Sequence, residues 1–295
     1  MPSSKELKDR IRSIKDTRKI TKAMYLISST KMRKAKESLE NTRPYFDNLK
    51  VEIKRVIRTL KTFDSKYIYP EDMKDFENGT YGLIVITSDK GLAGSYNLNV
   101  VKEAVKILED HKDCKLFAIG SFGKNYFAKR NIPVEKNFVF SAEDPSLDEA
   151  REIATNILEE YDRGKLKKIF LIYTNMVNSF SSQAVSMRLF PFHRDYFDDK
   201  KFEEEKTIKN EFTFYPSLDE ILEPLITSYI VGIIYGALVD SYSAEQNARM
   251  NAMSSAIENA DDLLGNLQIQ YNRLRQGQIT EEIIEISAGA QAQKK

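Results

Sequence analysis

The sequence predicts an α/β domain inserted into a hairpin of two long helices, one from each end of the chain. Three observations carry that expectation. The first 78 residues contain no glycine, which is rare outside long helices. After Pro224 no proline occurs, and apolar or small residues recur at helical spacing to about Ile286. Between the two ends, three short apolar runs alternate with amphipathic stretches, the βαβαβ pattern of a mostly parallel sheet. The expected divisions are residues 1–62 (N-terminal coiled-coil helix), 80–215 (α/β domain) and 217–295 (C-terminal helix, paired with the first).

Ser3 and Glu6 have the spacing of a capping box, so the first helix should start there. A register of alternating three- and four-residue steps then runs through Leu7, Ile11, Ile14, Arg18, Thr21, Tyr25, Ser28, Met32, Ala35, Leu39, Thr42, Phe46, Leu49, Ile53, Val56 and Leu60. Such a register is the seam of a coiled coil. Pro44 should kink the helix or remove one backbone bond. The seam is polar from Arg18 to Ser28, where Ile20, Met24 and Ile27 lie on an adjoining face.

Residues 82–87 (GLIVIT), 115–120 (KLFAIG) and 168–173 (KIFLIY) read as buried strands. Helices are expected near 97–111, 122–130 and 146–161, with edge strands at 183–189 and 212–215. The charge-dense stretch 195–210 reads as an exposed loop. In the last segment Ala244, Ala248, Ala252, Ala256 and Ala260 recur every four residues, a ridge that lets another helix approach closely. If Ser217 lies beside Leu60, antiparallel pairing puts Ala244 to Ala260 opposite Arg33 to Thr17. At ~1.5 Å per residue the terminal helices would reach roughly 90–100 Å, beyond a domain of about 30–40 Å, so a projecting polar rod needs a partner.

Composition narrows the function. Residues 1–61 hold 18 Lys/Arg against 7 Asp/Glu (+11), and residues 217–295 hold 5 against 11 (−6), so the two ends attract each other or external partners. No run approaches the ~18 apolar residues of a membrane span. The first residues carry no apolar leader, and the early acids Glu6, Asp9 and Asp16 disfavour a transit peptide. The lone Cys114 excludes an internal disulfide, and with only His111 and His193 beside it no ordinary zinc site is expected.

Candidate chemistry is sparse. Ser88-Asp89-Lys90-Gly91-Leu92-Ala93-Gly94-Ser95 follows a strand and precedes a helix, where phosphates often bind. It meets neither the G-x-G-x-x-G nor the P-loop spacing, so a turn or contact loop is favoured over a nucleotide site. No G-x-S-x-G elbow exists, Cys114 opens a strand as a small hydrophobe, and nothing near His193 reads as a nucleophile. Glu281, Glu282 and Glu285 read as a solvated face. Lys31-Met32-Arg33-Lys34-Ala35-Lys36 could bind nucleic acid, but the seam occupies Met32 and Ala35 and no aromatics interleave. Arg273-Leu274-Arg275-Gln276-Gly277-Gln278-Ile279-Thr280 places long hydrogen-bonding side chains where the last helix should outrun its partner.

The C-terminal run Ile279-Thr280-Glu281-Glu282-Ile283-Ile284-Glu285-Ile286-Ser287-Ala288-Gly289-Ala290-Gln291-Ala292 fits the signature of the gamma subunit of F-type ATP synthases at every fixed position. Residues 243–253 (SAEQNARMNAM), 18–24 (RKITKAM), 31–35 (KMRKA) and 88–94 (SDKGLAG) also resemble that family, in order along the chain. Tyr25 and Leu26 depart from its usual residues, and Pro224 falls where its last helix begins, which should break that start. The resemblance implies a long antiparallel coiled coil of the N- and C-terminal helices with an inserted Rossmann-like α/β domain. It implies a non-catalytic central shaft without a cofactor, turning inside a hexamer of α and β subunits. Further partners would be the epsilon subunit and the membrane c-ring, with no nucleic acid and no direct membrane span. The absent cysteine-bearing insert implies a bacterial protein, peripheral on the cytoplasmic face of the cell membrane. Carried over residue by residue, Met24, Arg249, Arg275, Gln276, Thr280 and Glu282 occupy positions linked to β contact or coupling. Two other classes compete: a nucleotide-binding α/β enzyme with coiled-coil arms, and a static scaffold or nucleic-acid-binding coiled coil.

Overall fold

A computed structural model describes residues 3–59, 79–176, 181–192, 215 and 218–292. Leu60, His193, the 195–210 loop and most of the 212–215 strand lie outside the described residues. The elements run α1 (Ser4–Thr59), β1 (Tyr81–Ile86), α2 (Tyr96–Asp110), β2 (Cys114–Ile119), α3 (Ser121–Ala128), α4 (Leu147–Asp162), β3 (Lys168–Met176), β4 (Ser182–Phe190) and α5 (Leu218–Ala292). By contact density the chain divides into two units, Thr30–Ala248 and the pair Met1–Ser29 with Arg249–Lys295.

In the first unit the strands are ordered β2-β1-β3-β4. β1 pairs in parallel with both β2 and β3, and β4 closes one edge antiparallel to β3. Alternation along each strand sends side chains to opposite faces. Leu83, Val85 and Leu116 face one way and pack against Val100, Val101 and Ala104 of α2 and Phe127 of α3. Ile84, Ile86, Phe117 and Ile119 face the other way, into a larger core with Ile153 and Ile157 of α4. That core also takes in Leu49, Ile53 and Val56 of α1 and Ile226, Ile230 and Ile234 of α5. Each such aliphatic side chain contributes about 1.5–3 kcal/mol when fully buried. The terminal helices are therefore part of the α/β core.

Here α1 and α5 run antiparallel. Ser38 Oγ and Tyr235 Oη lie 2.8 Å apart, and the Phe46 ring lies against Gly232. Tyr235 is four residues and Gly232 one residue from the partners that the sequence register assigns to Ser38 and Phe46. Both internal prolines are accommodated. α1 continues through Pro44, and α5 starts at Leu218 and continues through Pro224, so the expected break at Pro224 is absent. One missing N–H is a small loss beside the burial of Ile226, Tyr229 and Ile230 just after it. By length and composition Pro224–Ala290 could cross a bilayer, but 61% of its most apolar window is buried inside the protein.

In the second unit the capping box forms: Ser3 N donates to Glu6 Oε2 (2.9 Å), and Glu6 N to Ser3 Oγ (3.2 Å). The predicted α1 seam is the covered face, with Leu7, Ile11, Thr21 and Ser28 buried and Ile14, Arg18 and Tyr25 half-buried. Arg18 Nη2 donates to Asp261 Oδ2 at 3.1 Å. Arg18 Nε lies 2.6 Å from Asp261 Oδ1, at an angle that makes it an ion contact rather than a hydrogen bond. Asp261 is two residues from the partner expected for Arg18.

The α5 side differs from the expectation. From Met253 its covered residues step alternately by four and three through Ile257, Ala260, Leu264, Leu267, Tyr271 and Leu274, with Ala252 and Ser254 half-buried beside Met253. The alanine row is not a seam: Ala244 is fully buried, Ala252 half-buried and Ala256 exposed. A step of four residues overshoots a helical turn by about 40°, so such a row winds around the helix. Ala244 and Ala248 instead pack against Ala93 and Tyr96, beside the glycine-containing loop.

Candidate partner-contact surfaces

Covered positions on α5 end at Leu274, and every residue from 275 to 290 is exposed. Arg275, Gln276, Thr280 and Glu282 all stand on this bare stretch, within about two turns of one helix. Thr280 Oγ1 donates to the Gln276 carbonyl at 2.8 Å, which ties the hydroxyl to its own helix. The stretch also exposes Ile279, Ile283, Ile284 and Ile286, at 46%, 60%, 60% and 73%. Exposed aliphatic side chains clustered on two turns of a single helix are the kind of surface that protein partners cover.

Met24 is half-buried on α1, on one face with the exposed Ile20 and Ile27. Arg249 differs from the rest, being 7% exposed. The structure thus groups four of the six sequence-derived residues on one exposed helix, leaves Met24 at the rim of a second apolar patch, and encloses Arg249. The exposed isoleucines of α5 were not singled out from sequence. Their signal was the loss of the seam pattern after Leu274.

The loop after β1 has its polar groups committed internally. Asn97 Oδ1 accepts from Ser88 N (2.9 Å), and Asn97 Nδ2 donates to Ser88 Oγ (2.6 Å). Asp89 accepts from Ser121 N, Ser121 Oγ, Ser141 Oγ and Ala142 N at 2.7–2.8 Å. One carboxylate therefore caps α3 and pins the 141–142 turn. Burial alone would raise the Asp89 pKa, but these hydrogen bonds outweigh it and hold the carboxyl below its ordinary value. Lys90 reaches Glu143 at 2.6 Å. The contact-loop reading of the sequence fits this arrangement.

Asp89→Asn should destabilise the chain by roughly 1 kcal/mol at neutral pH, since charge-assisted hydrogen bonds at a partly exposed site are weakened. A depressed folded-state pKa gives stability that is fully present above the unfolded value of ~3.9 and lost as pH falls through the folded value. The gap between wild type and variant should therefore narrow below about pH 4 in urea unfolding. A gap of constant size from neutral pH down to about pH 3 would contradict this role.

The remaining polar candidates are structural. Burial, with Asp113 nearby, pushes the Cys114 thiol up to about 11, and its Sγ donates to the His111 carbonyl at 3.2 Å. A thiol so protonated is a poor nucleophile. His111 stacks on Tyr81 with ring centroids 3.8 Å apart. In the basic stretch of α1, Ala35 is buried and Met32 half-buried, as the seam requires, and Lys34 faces Asp144 at 3.9 Å. Glu281, Glu282 and Glu285 are exposed, and among the described residues no group of three His, Cys, Asp or Glu could hold a metal ion.

A family model described as ATP synthase matches residues 3–293. The ATP synthase gamma chain of Caldanaerobacter subterraneus subsp. tengcongensis is 36% identical over 287 residues, 95% of this chain and 97% of that one. That of Acetivibrio thermocellus is 37% identical over 292 residues, 98% of each chain. Among solved structures, the fold is similar to a chain of the Euglena gracilis mitochondrial ATP synthase rotor. The TM-score there is 0.61 at 16% identity, covering 94% of this chain and 98% of that one.

Proposed function

The chain belongs to the ATP synthase gamma chain family, a non-catalytic subunit of that complex, and we infer that it works as the rotating central stalk. The bare stretch of α5 enters the cavity of a hexamer of α and β subunits. The α/β unit meets the epsilon subunit and the membrane c-ring, on the cytoplasmic face of a bacterial membrane. Ion flow turns the ring and the stalk with it. ATP is made in β.

The observation that carries this reading is the exposed helix beyond Leu274, polar on Arg275, Gln276 and Glu282 and apolar on its isoleucines. A single helix inside a ring of equivalent subunits is asymmetric, so each β subunit meets a different surface. Differential contact energy of this kind biases each β toward a different conformation and nucleotide affinity. Arg275 offers a rigid fork of donors to a carboxylate, and Gln276 adds two donors and an acceptor. Thr280 and Glu282 extend the polar contact, and Met24 contributes from the patch on α1. Buried Arg249 acts by holding its helix, not by touching β. The committed loop polar groups speak against a nucleotide-binding enzyme.

Arg275→Ala with Gln276→Ala should lower ATP turnover of the assembled complex about three- to tenfold. Charge-assisted contacts contribute ~1.5–3 kcal/mol where desolvated, and a tenfold rate change corresponds to ~1.4 kcal/mol. The isolated chain should keep its helix content and melting behaviour, because both side chains lie past the seam. Unchanged turnover in the complex would count against the contact assignment, and so would a matching loss of stability in the isolated chain.

A further inference from the structure

Away from the helix pair, the edge of the sheet beside β2 carries an apolar cleft of about 530 Å³. Ala128, Ile132, Val134 and Val139 line it, and Lys124 and Lys136 stand in its wall. A single parallel bridge, Leu116 to Val134, fixes its floor to β2. Val139 is 73% exposed, although aliphatic. A second hollow of about 540 Å³ shares Val134, Glu135 and Lys136 with it, so the loop stands between two depressions.

Charge here is one-sided. Residues 121–139 contain Lys124, Lys129, Arg130 and Lys136 against Glu135 alone. That carboxylate is already taken by Lys115 at 3.0 Å, which also holds Glu160 at 2.7 Å. Arg130 lies over the Tyr126 ring at 3.6 Å. Among the described residues, none of these four cations makes an ion pair. Lys124 is half-buried, and burial holds its pKa below the ordinary lysine value, with Asp89 offsetting this only in part. Asp89 itself is engaged by its hydrogen-bond donors. Among the described residues Lys124 and Lys136 form no salt bridge of their own, so both would gain from an incoming carboxylate.

We propose that this cleft docks an acidic polypeptide segment of a partner subunit, an apolar side chain seated over Val134 and Val139 and carboxylates against Lys124 and Lys136. The cleft opens to solvent at the exposed Val139, which suits a segment of chain better than an enclosed small molecule. This surface lies within the Thr30–Ala248 unit and does not depend on the α5 contacts proposed above.

The test is photo-cross-linking in the purified complex that contains the chain, with p-benzoylphenylalanine in place of Val139. The exposed Asn137 is a second probe position should the first disturb assembly. The expected adduct maps to a polypeptide segment with at least two carboxylates flanking an apolar residue. Its yield should fall about tenfold when Lys124→Gln and Lys136→Glu are combined, and partially with Lys136→Glu alone. An adduct with lipid, an adduct with a segment lacking acids, no polypeptide adduct from either position, or a yield indifferent to these substitutions would overturn the proposal.

Discussion

Gly120→Ala should destabilise the α/β unit by roughly 3 kcal/mol or more. Gly120 joins β2 to α3 with φ 84 and ψ 146, a region open essentially to glycine alone, where an L side chain costs about 1–3 kcal/mol. Sterics add to that cost. A Cβ there would lie 2.8 Å from the Thr87 carbonyl carbon and 2.9 Å from the Ser88 carbonyl oxygen, both backbone atoms. The end of β1 and the start of α3 are tied at this point. Phe122 N donates to Ser88 O at 3.0 Å, and Gly123 N donates to Thr87 Oγ1 at 2.9 Å. Neither segment can retreat without breaking bonds that also support the Asp89 cap. Chemical unfolding of the isolated chain measures this, and a loss below about 1 kcal/mol would show that the crossing is not rigid.

Gly232→Ala should cost about 1–3 kcal/mol, through overpacking between α1 and α5. Its Cβ would fall 2.6 Å from Phe46 Cγ and 2.7 Å from Phe46 Cε1. Phe46 is half-buried against a core that contains Ile230, Ile234 and Tyr235, so its ring has little room to rotate away. Gly236, one turn further along, meets nothing within 4 Å, and Gly236→Ala should be neutral or stabilising because it restricts the unfolded chain. The pair separates packing from helix propensity. Equal effects at both positions would mean that propensity alone is being measured.

What the sequence made legible depended on the period of the pattern. The α1 register of threes and fours averages ~3.5 residues and stays on one face, so Leu7, Ile11, Ile53 and Val56 are buried as predicted. The α/β strands were legible because runs such as GLIVIT are apolar on both faces, as a parallel strand covered on both sides must be. The alanine row on α5 misled because a strict spacing of four drifts around the helix. The working seam from Met253 to Leu274 has the right alternation but mixes Met, Ile, Ala, Leu and Tyr, so identity concealed what spacing held. The role of Asp89 was not legible, because its donors come from Ser121, Ser141 and Ala142, far away in sequence. The burial of Arg249 was likewise not legible, because its motif marks a position linked to β contact or coupling and carries no information on exposure.

The rotor claim is tested most directly by a reversible tie between α5 and one β subunit. Gln276→Cys is paired with a cysteine on the facing β loop, and Cys114→Ser leaves one reactive pair. The two Cα atoms must approach within ~7 Å for the disulfide to form, so the oxidised fraction is measured first. Steady-state ATP hydrolysis is then followed in the cross-linked complex before and after reduction. The stalk must turn for all three β sites to cycle, so oxidation should stop multisite hydrolysis and reduction should restore it. Full hydrolysis in a quantitatively cross-linked complex would contradict rotation of this helix.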